Sequence, residues 1–131
     1  MSQFLFVYGT LMSTFKNSYS DFLKQNATFI EKGHIPARLY EVGEYPAAIS
    51  VNDFEHFVVG EIWYISNFEQ IISVLDEYEG TNENKPEYQR KCVEALTEEK
   101  NKINCWTYFY NLEITSLQEI KGGDYLKWKT K

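Results

Sequence analysis

Between Ser66 and Gly80 the apolar residues fall at helical spacing, in a chain that otherwise reads mostly as short strands. Phe68, Ile71, Ile72 and Leu75 recur at i, i+3, i+4 and i+7. Ser66 and Glu69 carry the spacing of a capping box, and Gly80 is a stop signal. The pattern predicts one strong helix ending near Glu79. At about 100° per residue, Glu79 lies within about 20° of Phe68 and Ile72 and about 40° of Leu75 on the helical wheel. An acid therefore continues an apolar stripe. Desolvating a carboxylate is costly, so an inward-facing one is normally paired or useful, and Glu79 is a candidate general base. Burial, the charges of Asp76 and Glu77, and the negative end of the helix dipole would all raise its pKa toward neutrality. The competing reading is a helix-terminal glutamate that bends out to water.

The remaining segments are strand-like. Phe4 to Tyr8 is apolar on both faces, as a central strand would be, and Gly9-Thr10 ends it abruptly. Ser18 to Asn26 is a weaker helical candidate. Thr28 to Val42 is extended, with Gly33 and Pro36 expected to mark a bend or bulge. A turn at Gly43 to Pro46 leads to a short strand, Ala47 to Val51, followed by another from Phe57 to Ile65. The polar stretch Thr81 to Glu87, with Asn82, Asn84 and Pro86, is expected to be an exposed loop. Tyr88 to Leu96 and Ile103 to Tyr110 form a hairpin around Glu98 to Asn101. In the tail, Tyr125 and Trp128 are positioned to pack back onto the body. Strands that follow one another directly, with one strong helix, point to an α+β fold with a curled, largely antiparallel sheet. Closure into a small barrel would remove its edges.

With 131 residues, 44% apolar and 17% aromatic, the expectation is one domain spanning residues 1–131. Nineteen acidic against 13 basic residues leave a charge of -6, with the cations scattered, so no nucleic-acid partner is expected. No apolar run is long enough for a membrane span and no basic leader precedes the first strand, so the chain reads as cytoplasmic. Cys92 and Cys105 lack metal-ligand spacing, and His34 and His56 have no ligand pattern around them; no metal is expected. The cysteines read as reduced, partly buried thiols on neighbouring strands.

Tyr8-Gly9-Thr10-Leu11 leaves a buried strand through a glycine, which lets the backbone turn sharply and present consecutive N–H groups to a small anion or oxyanion. A strand ending in a Gly-Thr turn is common for structural reasons alone. Tyr45, Tyr88 and Trp106 are possible pocket aromatics, although aromatics in a small barrel more often belong to the core. Neither a nucleophile motif nor a nucleotide-binding glycine pattern is present.

Taken in order, Phe6-Val7-Tyr8-Gly9-Thr10-Leu11, Tyr45-Pro46-Ala47-Ala48-Ile49, Val59-Gly60-Glu61-Ile62-Trp63, Leu75-Asp76-Glu77-Tyr78-Glu79 and Tyr88-Gln89-Arg90 resemble the gamma-glutamylcyclotransferase-like proteins, especially the gamma-glutamylamine cyclotransferase and AIG2-like branch. Gly123-Asp124-Tyr125 resembles a tail found in bacterial members. The resemblance implies a small mixed, largely antiparallel β-barrel with flanking helices, and a small-molecule γ-glutamyl substrate. It also implies a reaction without cofactor, in which the α-amine attacks its own γ-carbonyl, closes 5-oxoproline and expels an amine or amino acid. On that basis Glu79 would be the general acid/base, and Tyr8, Gly9, Thr10 and Leu11 would bind the glutamyl portion. The sequence departs from many relatives at Met12-Ser13-Thr14, where they carry a basic residue and a glycine. The alternative function is a catalytically silent protein that binds a carboxylate ligand.

Overall fold

The computed structural model describes residues 2–53, 55–81 and 86–130. The order of elements is β1 (Phe4–Val7), α1 (Ser18–Asn26), β2 (Thr28–Val42), β3 (Tyr45–Ser50), β4 (Phe57–Tyr64), α2 (Phe68–Glu79), β5 (Tyr88–Thr97), β6 (Lys102–Tyr110), β7 (Gln118–Glu119) and α3 (Tyr125–Lys129). Neighbouring strands run in the order β2-β4-β1-β6-β5, and β5 pairs back onto β2, so five strands close a barrel. β3 and β7 extend it from β2. The pairings are antiparallel except β1 with β6, which is parallel around Leu5 and Trp106. The fold is thus α+β: a mixed, largely antiparallel barrel with flanking helices.

β1 is the strand apolar on both faces because it lies inside the sheet, between β4 and β6, with Leu5, Phe6 and Val7 all buried. In β2, Gly33, Ile35, Ala37 and Leu39 alternate inward, the period of a strand with one covered face. The bulge in β2 falls between Phe29 and Glu31, not at Gly33 or Pro36. Gly33 serves closure instead: a Cβ there would meet the Leu96 carbonyl oxygen at 2.7 Å, so only a glycine lets β5 come this close to β2.

α2 buries Phe68, Ile71, Ile72 and Leu75, the residues of the predicted stripe, each worth about 2 kcal/mol of apolar burial. Its start differs from expectation. The helix begins at Phe68 behind Asn67, and no side chain caps it, so Ser66 and Glu69 form no capping box. Its end is as the sequence implies: Gly80 is left-handed, with φ 74°, and its N–H donates to the Asp76 and Glu77 carbonyls.

The expected loop at Asn82–Asn84 lies outside the described residues; at its edges Thr81, Pro86 and Glu87 are half-buried rather than exposed. The β5–β6 hairpin matches its pattern, turning through Lys100 at φ 68°. Cys92 on β5 is exposed and Cys105 on β6 is buried, both free. In the tail the Tyr125 hydroxyl donates to the Glu44 carbonyl at 2.7 Å, and Trp128 Nε1 donates to Glu41 Oε2 at 2.8 Å. No helix among the described residues is long and apolar enough to cross a membrane.

Because β1 and β6 are parallel, their C-terminal ends reach the same mouth of the barrel. β5 runs antiparallel to β6, with Tyr88 opposite Tyr110, so its first residues arrive there too.

Candidate functional site

At this mouth lies a cavity of about 210 Å³, lined by Phe6 to Leu11, Tyr45, Pro46, Tyr78, Glu79, Glu87, Tyr88 and Tyr108. It brings Tyr8, Gly9, Thr10 and Leu11 together with Glu79, residues 68 or more positions apart in sequence. Tyr45 and Tyr88 line it as well. Trp106 does not: its ring lies 4.8 Å from the Arg90 guanidinium carbon, and its Nε1 donates to the Ser2 carbonyl.

The loop after β1 is held from several sides. A Cβ on Gly9 would stand 2.6 Å from Pro46 Cγ, so the absence of a side chain lets β3 close against the strand exit. The Asn17 side chain, which caps α1, also donates to the Thr10 carbonyl at 2.8 Å. Thr10 Oγ1 hydrogen-bonds the Tyr78 hydroxyl at 3.1 Å, and Tyr78 stacks on Tyr19 with ring centroids 4.0 Å apart. Beyond Leu11, the buried Glu61 carboxylate accepts from the Ser13 N–H at 2.8 Å and the Ser13 hydroxyl at 2.6 Å, with Trp63 Nε1 as its third donor. Ser13 therefore gives the departing Met12-Ser13-Thr14 segment its own anchor. Met12 N–H donates to the Gly9 carbonyl, whereas the N–H groups of Gly9, Thr10 and Leu11 meet no protein acceptor among the described residues.

Tyr8 contributes its ring rather than a free hydroxyl, which donates to the Tyr108 carbonyl and accepts from the Ala48 N–H at 3.3 Å. The Tyr88 hydroxyl donates to the Pro46 carbonyl at 2.7 Å. Burial drives both phenols strongly upward in pKa, so they stay neutral.

Glu79 keeps part of its surface open to the cavity, yet protein surrounds its carboxyl closely enough to push its pKa up to about 8. Burial is the main cause, followed by the like charges of Glu87 and Asp76. Glu77 is not among the causes, because it points outward, whereas Glu87 is a neighbour that sequence reasoning missed. Its side chain reaches the cavity from just before β5, a long-range placement with no local signal. Glu79 has no hydrogen-bonding or ionic partner among the described residues. Among the described residues no cluster suits a metal ion, and no lysine, arginine or histidine lines the cavity.

The family model described as "Gamma-glutamyl cyclotransferase, AIG2-like" matches residues 5–127. Among solved structures, YtfP from Escherichia coli is similar at 28% identity and a TM-score of 0.68, over 96% of this chain and 98% of that one. An AIG2-like protein from Mus musculus is similar at 24% identity and a TM-score of 0.71, over 91% of this chain and 86% of that one. A gamma-glutamyl cyclotransferase shares 17% identity at a TM-score of 0.62, over 91% of this chain and 70% of that one. No curated protein matches the chain. With nearly its whole length covered by the family model and its barrel shared with these structures, the chain belongs to the gamma-glutamyl cyclotransferase, AIG2-like family.

Proposed function

We propose that this protein cyclises a γ-glutamyl group to 5-oxoproline and releases an amine or amino acid, with Glu79 as general acid/base. The observation that carries the reading is a carboxyl with a pKa near 8 and no partner among the described residues, sharing one cavity with a loop whose backbone N–H groups meet no acceptor among them. A carboxylate in that range accepts a proton readily near neutral pH and can return it.

In the proposed reaction the α-ammonium loses a proton to Glu79, and its nitrogen attacks the γ-carbonyl carbon. A C–N bond closes the five-membered ring, and the C–N bond to the leaving amine breaks. Two protons leave the ammonium nitrogen in all and two reach the departing amine, so neither water nor a redox partner is consumed. Because nucleophile and electrophile belong to one molecule, the protein's task is to hold the glutamyl chain folded and to stabilise the negative oxygen. The N–H groups of Gly9, Thr10 and Leu11 are the donors available for that, and Thr10, tied to Tyr78, links the loop to the helix bearing the base.

The test uses a γ-glutamyl amine with its α-amine free or acetylated. Only the free amine is expected to yield 5-oxoproline. Release of the amine from the acetylated compound at a comparable rate would mean hydrolysis by water and would overturn the reading.

A further inference from the structure

Three residues before Glu79 on α2, Asp76 is gripped by groups from two strands. Arg90 of β5 donates from Nε to Oδ1 at 2.8 Å and from Nη2 to Oδ2 at 3.1 Å. The Tyr108 hydroxyl of β6 donates to Oδ1 at 2.8 Å. Arg90 is itself fixed between rings, 4.8 Å from Trp106 and 5.8 Å from Phe68. The chain of contacts continues to the other half of the site, since the Tyr108 carbonyl accepts the Tyr8 hydroxyl. Tyr8-Gly9, β6, Asp76 and the last turn of α2 thus form one connected frame around the cavity.

We propose that Asp76 and Arg90 are the positioning pair of the site: they lock the last turn of α2 to the barrel and set the charge that Glu79 experiences. A bidentate fork fixes direction as well as distance, which a single contact at the end of a helix would not. Residues i and i+3 share a helix face, so the anchored Asp76 carboxylate is a near neighbour of the Glu79 side chain. Arg90 offsets that negative charge without contacting Glu79. Among the described residues, the other ionisable groups around Glu79 are Tyr8 from the β1 exit, Tyr45 of β3, Tyr78 of α2, Glu87 and Tyr88 at the start of β5, and Tyr108 of β6. Of these, only Glu87 carries a carboxyl group, as Asp76 does.

This inference rests on the proposed role of Glu79, but its decisive readout does not require turnover. The carboxyl carbon of Glu79 is followed by NMR in carbon-13-labelled protein, assigned by its loss in Glu79→Gln, and titrated in wild type, Asp76→Asn and Arg90→Met. Asp76→Asn is expected to lower the Glu79 midpoint and Arg90→Met to raise it, each by on the order of one pH unit. A purely structural pair would lower thermal stability in both variants without moving the midpoint in opposite directions, and that result overturns the proposal. Should Arg90→Met not fold, Arg90→Lys replaces it: charge is kept and the fork is lost. Its expected signature is a midpoint near that of wild type with kcat reduced about tenfold and KM little changed. A midpoint that moves as far as in Asp76→Asn contradicts the proposal. Wild-type protein that forms no 5-oxoproline sinks the reaction, while the titration still decides the role of the pair.

Discussion

Arg90 spends both ends of its guanidinium fork on Asp76, at 2.8 and 3.1 Å, and is therefore not the counter-ion of Glu79. The cation placed to neutralise the inward acid neutralises its neighbour, and Glu79 is left with burial and like charges. Buried acids in that condition weaken a fold whenever they are ionised.

The stability of Glu79→Gln follows from this. With its pKa raised to about 8 in the folded chain from an ordinary 4.5, Glu79 binds more protons folded than unfolded between those values. Its contribution to stability therefore falls as pH rises through that window. Glutamine removes the penalty, so the variant is expected to match wild type near pH 4.5 and to exceed it at pH 8 and above. The gain there is about 1 kcal/mol or more, roughly 4 °C in Tm. Thermal melts at both pH values check it; a variant less stable at pH 8 than wild type would show that the charged carboxylate is bonded in the fold.

The same group sets the expected pH dependence of turnover. A base that must be ionised gives kcat/KM rising with pH through an apparent pKa near 8. Glu87→Gln removes the largest like charge acting on Glu79, so the rising limb is expected to move to lower pH. A pH–rate profile unaltered by Glu87→Gln would separate Glu87 from the chemistry.

Gly9→Ala tests the strand exit. The new methyl carbon would lie 2.6 Å from Pro46 Cγ, and a proline ring has little freedom to yield, so the loop or β3 must shift. Overpacking of this kind costs about 1–3 kcal/mol. A lower Tm and a raised KM are expected together. Unchanged KM would mean that the loop does not touch substrate.

Local sequence revealed elements wherever local interactions decide them. The stripe of Phe68, Ile71, Ile72 and Leu75, the stop at Gly80 and the hairpin through Lys100 are each set by residues a few positions apart. The start of α2 misled, because Ser66 offers its side chain to a cap that the helix, beginning at Phe68, does not use. The bulge followed strand pairing rather than glycine or proline content, appearing at Phe29 to Glu31. Short elements supported from afar were not legible: β7 rests on two pairs with β2, and α3 on an Asp124 cap and on contacts to Glu41 and Glu44. In the cavity, the helical wheel gave the inward direction of Glu79, since period and position suffice for that. Nothing local announces that Glu87 will face Glu79 or that Arg90 will choose Asp76, because barrel closure makes those pairings.

The most direct measurement is 5-oxoproline release by wild type and Glu79→Gln on a panel of γ-glutamyl amines and dipeptides, with Tm recorded on the same preparations. Glutamine preserves size and helix compatibility but cannot take the proton. The variant is expected to stay folded while its turnover falls on the order of 10²-fold or more. A folded Glu79→Gln protein with wild-type turnover would contradict it.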